Sequence, residues 1–507
     1  MNNSLLARTI SPLLLFALFT SCQAQKHEDH ATKIERFLSE AHARGQFNGT
    51  ALVYEDGKVI HECAFGIRSI DPVDSLDVNS QFRLASVSKQ FTAMAIMLLK
   101  EQGKLTYDQD IRDFLPELPY EGMTIRHLLH HTSGLPDYEP MMDENWKTDL
   151  KFDDPARYTD GNADVLQMLV AKKPSVYFAP GEKWQYSNTG YNLLGTIVAR
   201  ASGMSFAAYA QRHIFDPAGM SHSSFYDFVI GPDPKMPDRA FGFQVDWNGT
   251  NLISTDSHYL NRGQGEDGVY STVGDMLNWD RTLYTDKLVT NTTLEEAFSP
   301  AILNNGDTTD YGFGWFIQRT PTGKKMVMHT GGWAGFITYF MRAIEDDKCI
   351  ILLTNNSTSY YGNDGIRAGL TKILFDQQYQ LPPLSIREVM GKAVFDSGAE
   401  HAIEQYKKFK TEQPAEFLFA EEELNLLGYE LLWADRVDDA LAILRLNVEE
   451  YPLSANVYDS YGDALLAKGD TVNALANFKK AFAMDATMTA TKEKIDAIEK
   501  GVVPVGR

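Results

Sequence analysis

Two strand pairs are predicted by the pattern of apolar and polar residues, and they lie far apart along the chain. Residues 50–65 form the first, around Asp56-Gly57, a dipeptide typical of tight turns. Residues 335–344 and 348–354 form the second. Helical stretches and loops rich in proline and glycine separate them, without regular alternation of strands and helices. The pattern predicts a mixed α/β (α+β) domain in which early and late strands share one sheet.

The C-terminal part of the chain repeats itself every 34 residues. Strand patterns end near Pro382-Pro383, and from about residue 399 small and apolar residues recur, as in Leu427-Gly428 and Tyr461-Gly462. Helix-turn-helix units of this length resemble tetratricopeptide repeats. Residues 399–507 are therefore predicted to form a small all-α domain of helical repeats. This domain is either a helical cap on the main domain or a docking surface for a protein partner.

The first 22 residues have the pattern of an export signal. Arg8 precedes an apolar run at residues 13–19 that is too short to span a bilayer. Residues 19–22 resemble a lipobox, in which Cys22 would be lipidated and would attach the protein to a membrane. The alternative is cleavage near Ala24, which would release a soluble protein. In both cases we expect an exported bacterial protein, either periplasmic or a membrane-anchored lipoprotein.

Composition and charge exclude several classes of function. The 507 residues are 44% hydrophobic and 23% charged, as in folded globular proteins. Lysine and arginine number 47 against 68 acidic residues, and a net charge of -21 argues against a nucleic-acid partner. Three cysteines without a C-x-x-C pair exclude a zinc ribbon and a disulfide-stapled scaffold. We expect Cys63 and Cys349 to be buried thiols in strands, with a bridge between them as the alternative.

Ser86-Val87-Ser88-Lys89 opens a helical stretch at residues 90–100 that is apolar nearly all round and is therefore predicted to be buried. One helical turn places Ser86 and Lys89 on the same face. The helix N-terminus and burial both disfavour an ammonium, so Lys89 is expected to be a neutral amine that can take the serine proton. An ordinary serine N-cap beside a solvated lysine would show the same four residues.

Two further motifs could complete a catalytic site. In Tyr186-Ser187-Asn188, a phenol beside a lysine can have its pKa lowered and can shuttle a proton, while Asn188 offers amide donors to a substrate. The run from His329 to Gly332 follows an apolar strand. Its glycines would let a substrate lie close, with main-chain N–H groups free for an oxyanion.

In this order the three motifs resemble those of the serine β-lactamase and penicillin-binding protein superfamily, and the central Y-x-N resembles its class C branch. That branch has esterase and D-peptidase relatives. Residues 124–134 and 268–276 also fit it, so that the resemblance covers about residues 30–375. The resemblance implies a β-lactamase/transpeptidase-like domain at residues 27–385, with a mainly antiparallel central sheet flanked by helices.

The resemblance also implies roles for individual residues. Ser86 would be the acylated nucleophile, and Lys89 with Tyr186 the proton-transfer pair. The substrate and oxyanion site would be formed by the remaining motif residues, Asn188, His329, Thr330, Gly331 and Gly332. Within it, the N–H groups of Ser86 and Gly332 would form the oxyanion hole.

The third motif departs from the resembled superfamily at its first position, where true β-lactamases and D,D-peptidases usually have lysine. His329 is expected to be mostly neutral near pH 7, which weakens its pairing with a substrate carboxylate. This departure lowers the expectation of efficient penicillin or cephalosporin hydrolysis. It is compatible with an esterase or with a peptidase of different end-group preference.

No metal or cofactor is predicted. His127, His130 and His131 could lie on one helix, but no acid or cysteine cluster accompanies them. No nucleotide-binding glycine motif is evident.

The sequence therefore predicts an exported serine hydrolase that cleaves an amide, ester or β-lactam bond of a small-molecule or peptide substrate. The alternative is a catalytically impaired sensor or binding protein that uses the helical repeats for partners. Intact Ser86, Lys89 and Tyr186 favour the enzyme, because function depends on the site rather than on the fold.

Overall fold

The computed structural model of the chain describes residues 28–146, 150, 154–226, 236–358 and 360–502. The predicted export signal, with Cys22 and Ala24, lies outside these residues. Within the described ranges, no helix has both the length and the apolar character needed to cross a membrane.

The strands of the structure follow in chain order. They are β1 Gly49–Glu55, β2 Lys58–Phe65, β3 Ile67–Ile70, β4 Val73–Ser75, β5 Phe82–Arg83, β6 Ser224–Phe225, β7 Phe243–Val245, β8 Leu252–Ser254, β9 Val269–Ser271, β10 Phe316–Arg319, β11 Lys325–Trp333, β12 Phe336–Ala343, β13 Lys348–Thr354, β14 Leu384–Ser385 and β15 Phe417–Leu418.

Six of these strands form the central sheet, in the order β10-β11-β12-β13-β1-β2, and every neighbouring pair is antiparallel. Early and late parts of the chain meet where β1 pairs with β13, with Gly49 opposite Thr354. The predicted mixed α/β fold with an antiparallel sheet is confirmed. Both predicted hairpins are present, because β1 and β2 turn at Asp56-Gly57 and β12 leads directly into β13.

Helices cover both faces of the sheet. Those before the C-terminal tail are α1 His30–Ala43, α2 Lys89–Glu101, α3 Ile125–Leu129, α4 Tyr138–Asn145, α5 Asn162–Lys172, α6 Asn188–Ser202, α7 Phe206–Ala210, α8 Asp216–Ala218, α9 Val273–Thr282, α10 Asn291–Ala297, α11 Tyr360–Leu374 and α12 Ile386–Ser397. Helices α1 and α11 pack on one face through an apolar cluster that includes Phe37 and Leu370. Helices α2, α6 and α9 belong to the larger core on the other face.

Helix α2 is the most deeply buried element near the candidate nucleophile. Every residue from Lys89 to Leu99 is buried, as the all-round apolar pattern predicts. The helix follows a small sheet in which β9 lies between β5 and β6. The pairing of Phe82 with Ser271 fixes the end of β5 just before Ser86.

Both remaining cysteines are free thiols in strands. Cys349 on β13 is buried and Cys63 on β2 is half-buried, where burial raises the pKa of the Cys63 thiol to about 12. Strand β1 lies between them, because its Ala51 pairs with Cys63 and its Tyr54 with Cys349. The two strands are therefore separated by a full strand width, and the alternative of a bridge is wrong for this structure.

The C-terminal tail consists of further helices. These are α13 Ala399–Glu412, α14 Glu421–Trp433, α15 Val437–Glu450, α16 Ala455–Ala467, α17 Thr471–Met484 and α18 Thr489–Glu499. A Cβ added at Gly428 would lie 2.4 Å from Leu444, and one added at Gly462 would lie 2.6 Å from Phe478. Both contacts span 16 residues and recur 34 residues apart, so the sequence period corresponds to a repeated helix crossing. The assignment to tetratricopeptide repeats stays a prediction.

Helix α12, which the sequence predictions left between the two regions, packs with the tail. Its Met390 shares an apolar cluster with Leu427 on α14. A Cβ at Gly391 would lie 1.9 Å from the backbone oxygen of Trp247, so α12 also makes a close contact with the main region. The Arg436 guanidinium, on the turn before α15, lies 5.4 Å from the centre of the Trp247 ring. The tail is therefore packed on the main region through α12 and Trp247.

Candidate active site

Ser86 lies in a turn of 3₁₀ helix, Ala85–Ser88, between β5 and α2. Ala85 has φ +48°, a left-handed conformation that is uncommon for a residue with a Cβ and that often marks a functional site. Among residues 81–90, Ser86 is the residue with a partly exposed side chain, and the others are buried. The turn therefore presents one hydroxyl to solvent from an otherwise closed core.

Lys89 is 0% exposed and lies one helical turn after Ser86. Its Nζ donates to Ser86 Oγ at 3.1 Å, to Asn188 Oδ1 at 2.8 Å and to the backbone oxygen of Glu266 at 2.9 Å. Burial lowers the pKa of Lys89, and neighbouring carboxylates, first that of Glu266, oppose this shift only in part. Lys89 is therefore better able to accept a proton than a solvated lysine.

Tyr186 packs beside this lysine, with Lys89 Nζ 4.8 Å from its ring centre. Its hydroxyl is shielded from solvent, and no described residue lies in hydrogen-bonding geometry with it. Burial raises the pKa of Tyr186 well above 10, although the interaction with Ser86 works in the opposite direction. The expectation of a lowered phenol pKa is wrong, because burial raises the pKa of Tyr186 by more than the interaction with Ser86 lowers it. Tyr186 is a neutral phenol at rest.

Asn188 is the first residue of α6, which Ser187 caps by accepting the Gly190 N–H. Because its Oδ1 accepts from Lys89, its Nδ2 is directed to the opposite side and donates to Glu139 Oε1 at 3.0 Å. An amide nitrogen has two hydrogens, so that one donor of Asn188 stays available to a bound molecule.

Strand β11 brings the third motif beside Ser86. Strand β10 pairs with β11 only as far as Met328, which leaves the edge of β11 at residues 329–333 open in the described structure. A Cβ at Gly331 would lie 2.3 Å from the Leu84 oxygen and 2.4 Å from Thr338 Oγ1. Only glycine lets β11 approach the turn that carries Ser86 this closely.

His329 is 1% exposed and lies between two polar partners. Its Nδ1 is 2.6 Å from the Thr330 carbonyl oxygen, and its Nε2 is 2.9 Å from the Tyr311 hydroxyl. A carbonyl can only accept, so Nδ1 carries the hydrogen and Nε2 accepts from Tyr311. Burial, followed by the Lys89 charge, lowers the pKa of His329 to about 3. His329 is thus neutral at physiological pH.

Two cavities meet at Ser86 and Gly332. The smaller has a volume of about 110 Å³ and is lined by Arg83, Ser86, Tyr138, Glu139, Asn188, Leu260, Gly263, Glu266, Asp267, Gly332 and Trp333. The larger has a volume of about 400 Å³ and is lined by Ser86, Tyr186, Phe316, His329, Thr330, Gly332 and Ile337. The candidate nucleophile therefore stands between two spaces of different chemistry.

The structure brings together all the motif residues selected from the sequence, from Ser86 to Gly332. It does not gather the three histidines into a metal site, and the described residues contain no group of three potential metal ligands. Instead, His127 caps α3 and His130 contacts the Tyr311 oxygen at 3.1 Å.

The sequence analysis did not assign several residues to this site, including His131, which it considered only as a metal ligand. His131 has φ +58° and accepts the Ser187 N–H at 3.1 Å, and its ring centre lies 4.3 Å from that of Tyr186 in a tilted arrangement. Tyr311 holds His329, and Glu139 holds Asn188. The paired histidines before Thr132 were a visible signal for His131, whereas no local pattern marks Tyr311 or Glu139.

Comparisons with known proteins relate the chain to one family. Residues 34–370 match the family model described as beta-lactamase. The chain is 39% identical to penicillin-binding protein 4* of Bacillus subtilis strain 168 over 71% of this chain and 78% of that protein. It is 24% identical to a D-aminopeptidase of Gluconobacter oxydans strain 621H over 66% of this chain and 60% of that protein.

A solved structure of a penicillin-binding protein from Bacillus halodurans has the same fold. It superposes with a TM-score of 0.57 at 26% identity and covers 67% of this chain and 99% of its own.

Proposed function

Because the chain belongs to the beta-lactamase and penicillin-binding protein superfamily, a superfamily of serine hydrolases, we propose that it hydrolyses an amide, ester or β-lactam bond through a Ser86 acyl-enzyme. The observation that carries the proposal is the hydrogen bond between Lys89 Nζ and Ser86 Oγ in a buried setting. A solvated lysine would be a permanent cation at neutral pH and a poor base. Burial lowers the pKa of Lys89 and so raises the fraction of neutral amine, which can take the serine proton.

In acylation, Ser86 Oγ forms a bond to the substrate carbonyl carbon while its proton passes to Lys89 Nζ. The carbonyl oxygen becomes an oxyanion, which the N–H groups of Ser86 and Gly332 would stabilise. The bond to the leaving nitrogen or oxygen then breaks as Tyr186 gives that atom its proton. Tyr186 recovers a proton from the Lys89 ammonium. Water repeats the sequence on the acyl-enzyme and releases the acid.

Asn188 and the β11 edge would hold the substrate on either side of the reacting carbon. The remaining Nδ2 hydrogen of Asn188 can donate to a substrate carbonyl, while the open main chain of residues 329–332 can pair with an extended substrate. Because His329 is neutral, this edge offers no histidine charge to a substrate carboxylate. Esters and D-amino-acid amides or peptides are therefore favoured over β-lactams, in agreement with the D-aminopeptidase relative.

We also propose export and membrane attachment through Cys22, on the sequence pattern alone. Residues 27–385 would form the hydrolase domain and residues 399–507 the helical repeats. The packing of α12 on Trp247 favours a helical cap over a free docking arm. No nucleic acid, metal or cofactor enters the proposal.

The proposal is tested by labelling the full chain with a serine-reactive fluorophosphonate and mapping the adduct by mass spectrometry. We expect one adduct at Ser86, with hydrolysis of nitrophenyl esters, and the loss of both in Ser86→Ala. Absence of labelling together with absence of turnover would contradict the proposed hydrolase activity. That result would favour the alternative, a binding or sensory protein with this fold.

A further inference from the structure

His131 is a buried histidine beside the site that the proposed mechanism does not use. It lies in the turn after α3 and is 1% exposed. It lines neither of the two described cavities beside Ser86, whereas Tyr186, against which it packs, lines the larger one. His131 therefore lies behind Tyr186 and is separated from a bound substrate by the phenol.

The backbone at His131 favours glycine rather than histidine. Its φ of +58° lies in the left-handed region. The position directly follows His130, the C-cap of α3, and helices commonly end in glycine at this point. A side chain in this conformation costs stability, so its presence calls for a contribution from the contacts that the side chain makes.

Those contacts hold the two residues that flank Tyr186. The His131 carbonyl oxygen accepts the Gln185 N–H at 2.9 Å, and His131 Nδ1 accepts the Ser187 N–H at 3.1 Å. In the described structure, residues 183–187 belong to no helix or strand, so these bonds supply support that a regular element would otherwise give. One residue thus fixes the chain before and after the phenol.

The His131 ring also packs on the tyrosine itself. The ring centres of His131 and Tyr186 are 4.3 Å apart, with 36° between the ring planes. Tyr191 and Tyr311 enclose the same imidazole, with ring centres at 5.0 and 4.6 Å. Because no described residue lies in hydrogen-bonding geometry with the Tyr186 hydroxyl, the orientation of the phenol depends chiefly on its backbone and its ring faces.

His131 has no charge to contribute to the reaction. Burial, followed by the Lys89 charge, lowers the pKa of His131 well below its ordinary value of 6.5. Its Nδ1 accepts a backbone N–H, so the hydrogen of the neutral ring is on Nε2, which is buried and has no partner among the described residues. Neither nitrogen is placed to exchange a proton with Ser86 or with a substrate.

The need for a fixed phenol depends on the leaving group. A nitrophenolate leaves as a stable anion, whereas an alcohol or an amine must gain a proton as its bond to the acyl carbon breaks. In the proposed mechanism this proton comes from the Tyr186 hydroxyl, and proton transfer is sensitive to small displacements of the donor. Displacement of Tyr186 should therefore slow the departure of strongly basic leaving groups most.

We propose that His131 is the positioning residue for Tyr186 and enables the site to cleave esters and amides whose leaving groups are strongly basic. The inference rests on the proposed function at Ser86. The bond changes stay as described there: the leaving oxygen or nitrogen takes the Tyr186 proton, and Tyr186 recovers one from the Lys89 ammonium. His131 exchanges no proton and forms no bond to the substrate.

The test compares 4-nitrophenyl acetate with benzyl acetate in the full chain. Both esters form the same acetyl-enzyme, so a difference in kcat/KM between them reports the departure of the leaving group. His131→Gly suits the left-handed backbone but removes Nδ1 and the ring. We expect its kcat/KM for benzyl acetate to fall by about tenfold or more beyond any fall for 4-nitrophenyl acetate.

His131→Asn is the conservative variant. Asparagine also tolerates the left-handed backbone, and its amide oxygen can accept the Ser187 N–H. The selective loss for benzyl acetate should be intermediate, so this variant tests the inference even if His131→Gly does not fold.

Tyr186→Phe completes a double-mutant cycle. This variant should show the same selective loss for benzyl acetate, and adding His131→Gly to it should cause little further selective loss, since no phenol hydroxyl is left to position. A merely structural role of His131 would slow both esters equally, with or without the Tyr186 hydroxyl.

His213→Ala is the matched control. His213 packs on Tyr209 with ring centres 4.5 Å apart and 36° between the planes, and neither residue lines the two cavities beside Ser86. Its loss should keep the wild-type ratio of the two esters. Fluorophosphonate labelling of Ser86, in which the weakly basic fluoride leaves, checks that each variant is folded.

Three results would overturn the inference. One is an unchanged ratio of the two esters in the labelled His131 variants, and another is equal slowing of both esters. The third is a wild type that hydrolyses 4-nitrophenyl acetate through Ser86 but does not cleave benzyl acetate. In each case the hydrolase stands, whereas absence of Ser86 labelling and of ester turnover in the wild type would remove the proposed function, and the role of His131 with it.

Discussion

The start of α2 and the helix crossings of the tail are both tightly packed. The first contains polar and charged groups, whereas the second contains glycine and apolar side chains. Helix α2 begins with a fully buried lysine that follows a left-handed alanine, and this lysine uses its hydrogen bonds on groups of the site. In the tail, Gly428 meets Leu444 and Gly462 meets Phe478 in the same way. Buried charge and backbone strain cost stability, whereas glycine against an apolar side chain is close packing alone. The difference indicates that the first region is organised for chemistry and the second for structure.

Replacement of Lys89 tests the chemical side of this contrast most strongly. We expect Lys89→Ala to slow acylation of a nitrophenyl ester by ~10² or more, the range of lost general-base catalysis. The melting temperature should fall as well, because the neighbouring carboxylates lose their cation and the oxygen atoms of Asn188 and Glu266 lose their donor. Stopped-flow acylation and thermal melts measure both effects. Lys100→Ala, near the exposed end of the same helix, is the control, and near-normal acylation by Lys89→Ala would show that its role is misassigned.

Gly331→Ala should disturb the contact between β11 and the Ser86 turn. The new Cβ would lie 2.3 Å from the Leu84 oxygen, so the strand must move away from the turn. We expect turnover to fall by about tenfold or more, because small displacements of a catalytic group are costly, with a loss of ~1–3 kcal/mol in the free energy of unfolding. Gly274→Ala in α9, where only Thr272 Oγ1 comes within 4 Å, should leave both nearly unchanged. Full activity in Gly331→Ala would mean that the close approach has no catalytic value.

Local sequence patterns were sufficient for much of this molecule. Alternation predicted both hairpins, all-round apolarity predicted the burial of α2, and the 34-residue period predicted a crossing that recurs in the structure. These features depend on neighbours in the chain or on a repeat visible in it.

The remaining features depend on contacts between distant residues. Glu139 reaches Asn188 across 49 positions, and Tyr311 reaches His329 in the buried wall of the site. The Tyr186 pKa was predicted in the wrong direction because the sequence shows the neighbouring lysine but not the depth of burial. The burial of Tyr186 depends on contacts with residues distant in the chain, and the sequence around Tyr186 does not report it.

The tail glycines provide a pair of matched changes. Gly428→Ala and Gly462→Ala should each lower the free energy of unfolding by ~1–3 kcal/mol, since the added Cβ would collide with Leu444 or Phe478. Ester turnover at a temperature well below the melting point should stay near the wild-type value. Lys479→Ala, on an exposed position of α17, should change stability by less than about 0.5 kcal/mol. A tail variant that stays stable yet loses turnover would contradict the conclusion that the tail has a structural role only.

The smallest expected effect concerns the charges around Lys89. Turnover of an uncharged ester requires the neutral amine, so it should rise with pH through the pKa of Lys89, at a lower pH than the ordinary value of 10.5. The carboxylates of Glu266, Asp267, Asp137 and Glu139 all stabilise the ammonium and hold this pKa up. Glu139→Gln removes one of them, so the midpoint of the pH–rate profile should move to lower pH, by less than about one unit. A midpoint that stayed fixed, or moved to higher pH, would show that Glu139 is not electrostatically linked to Lys89.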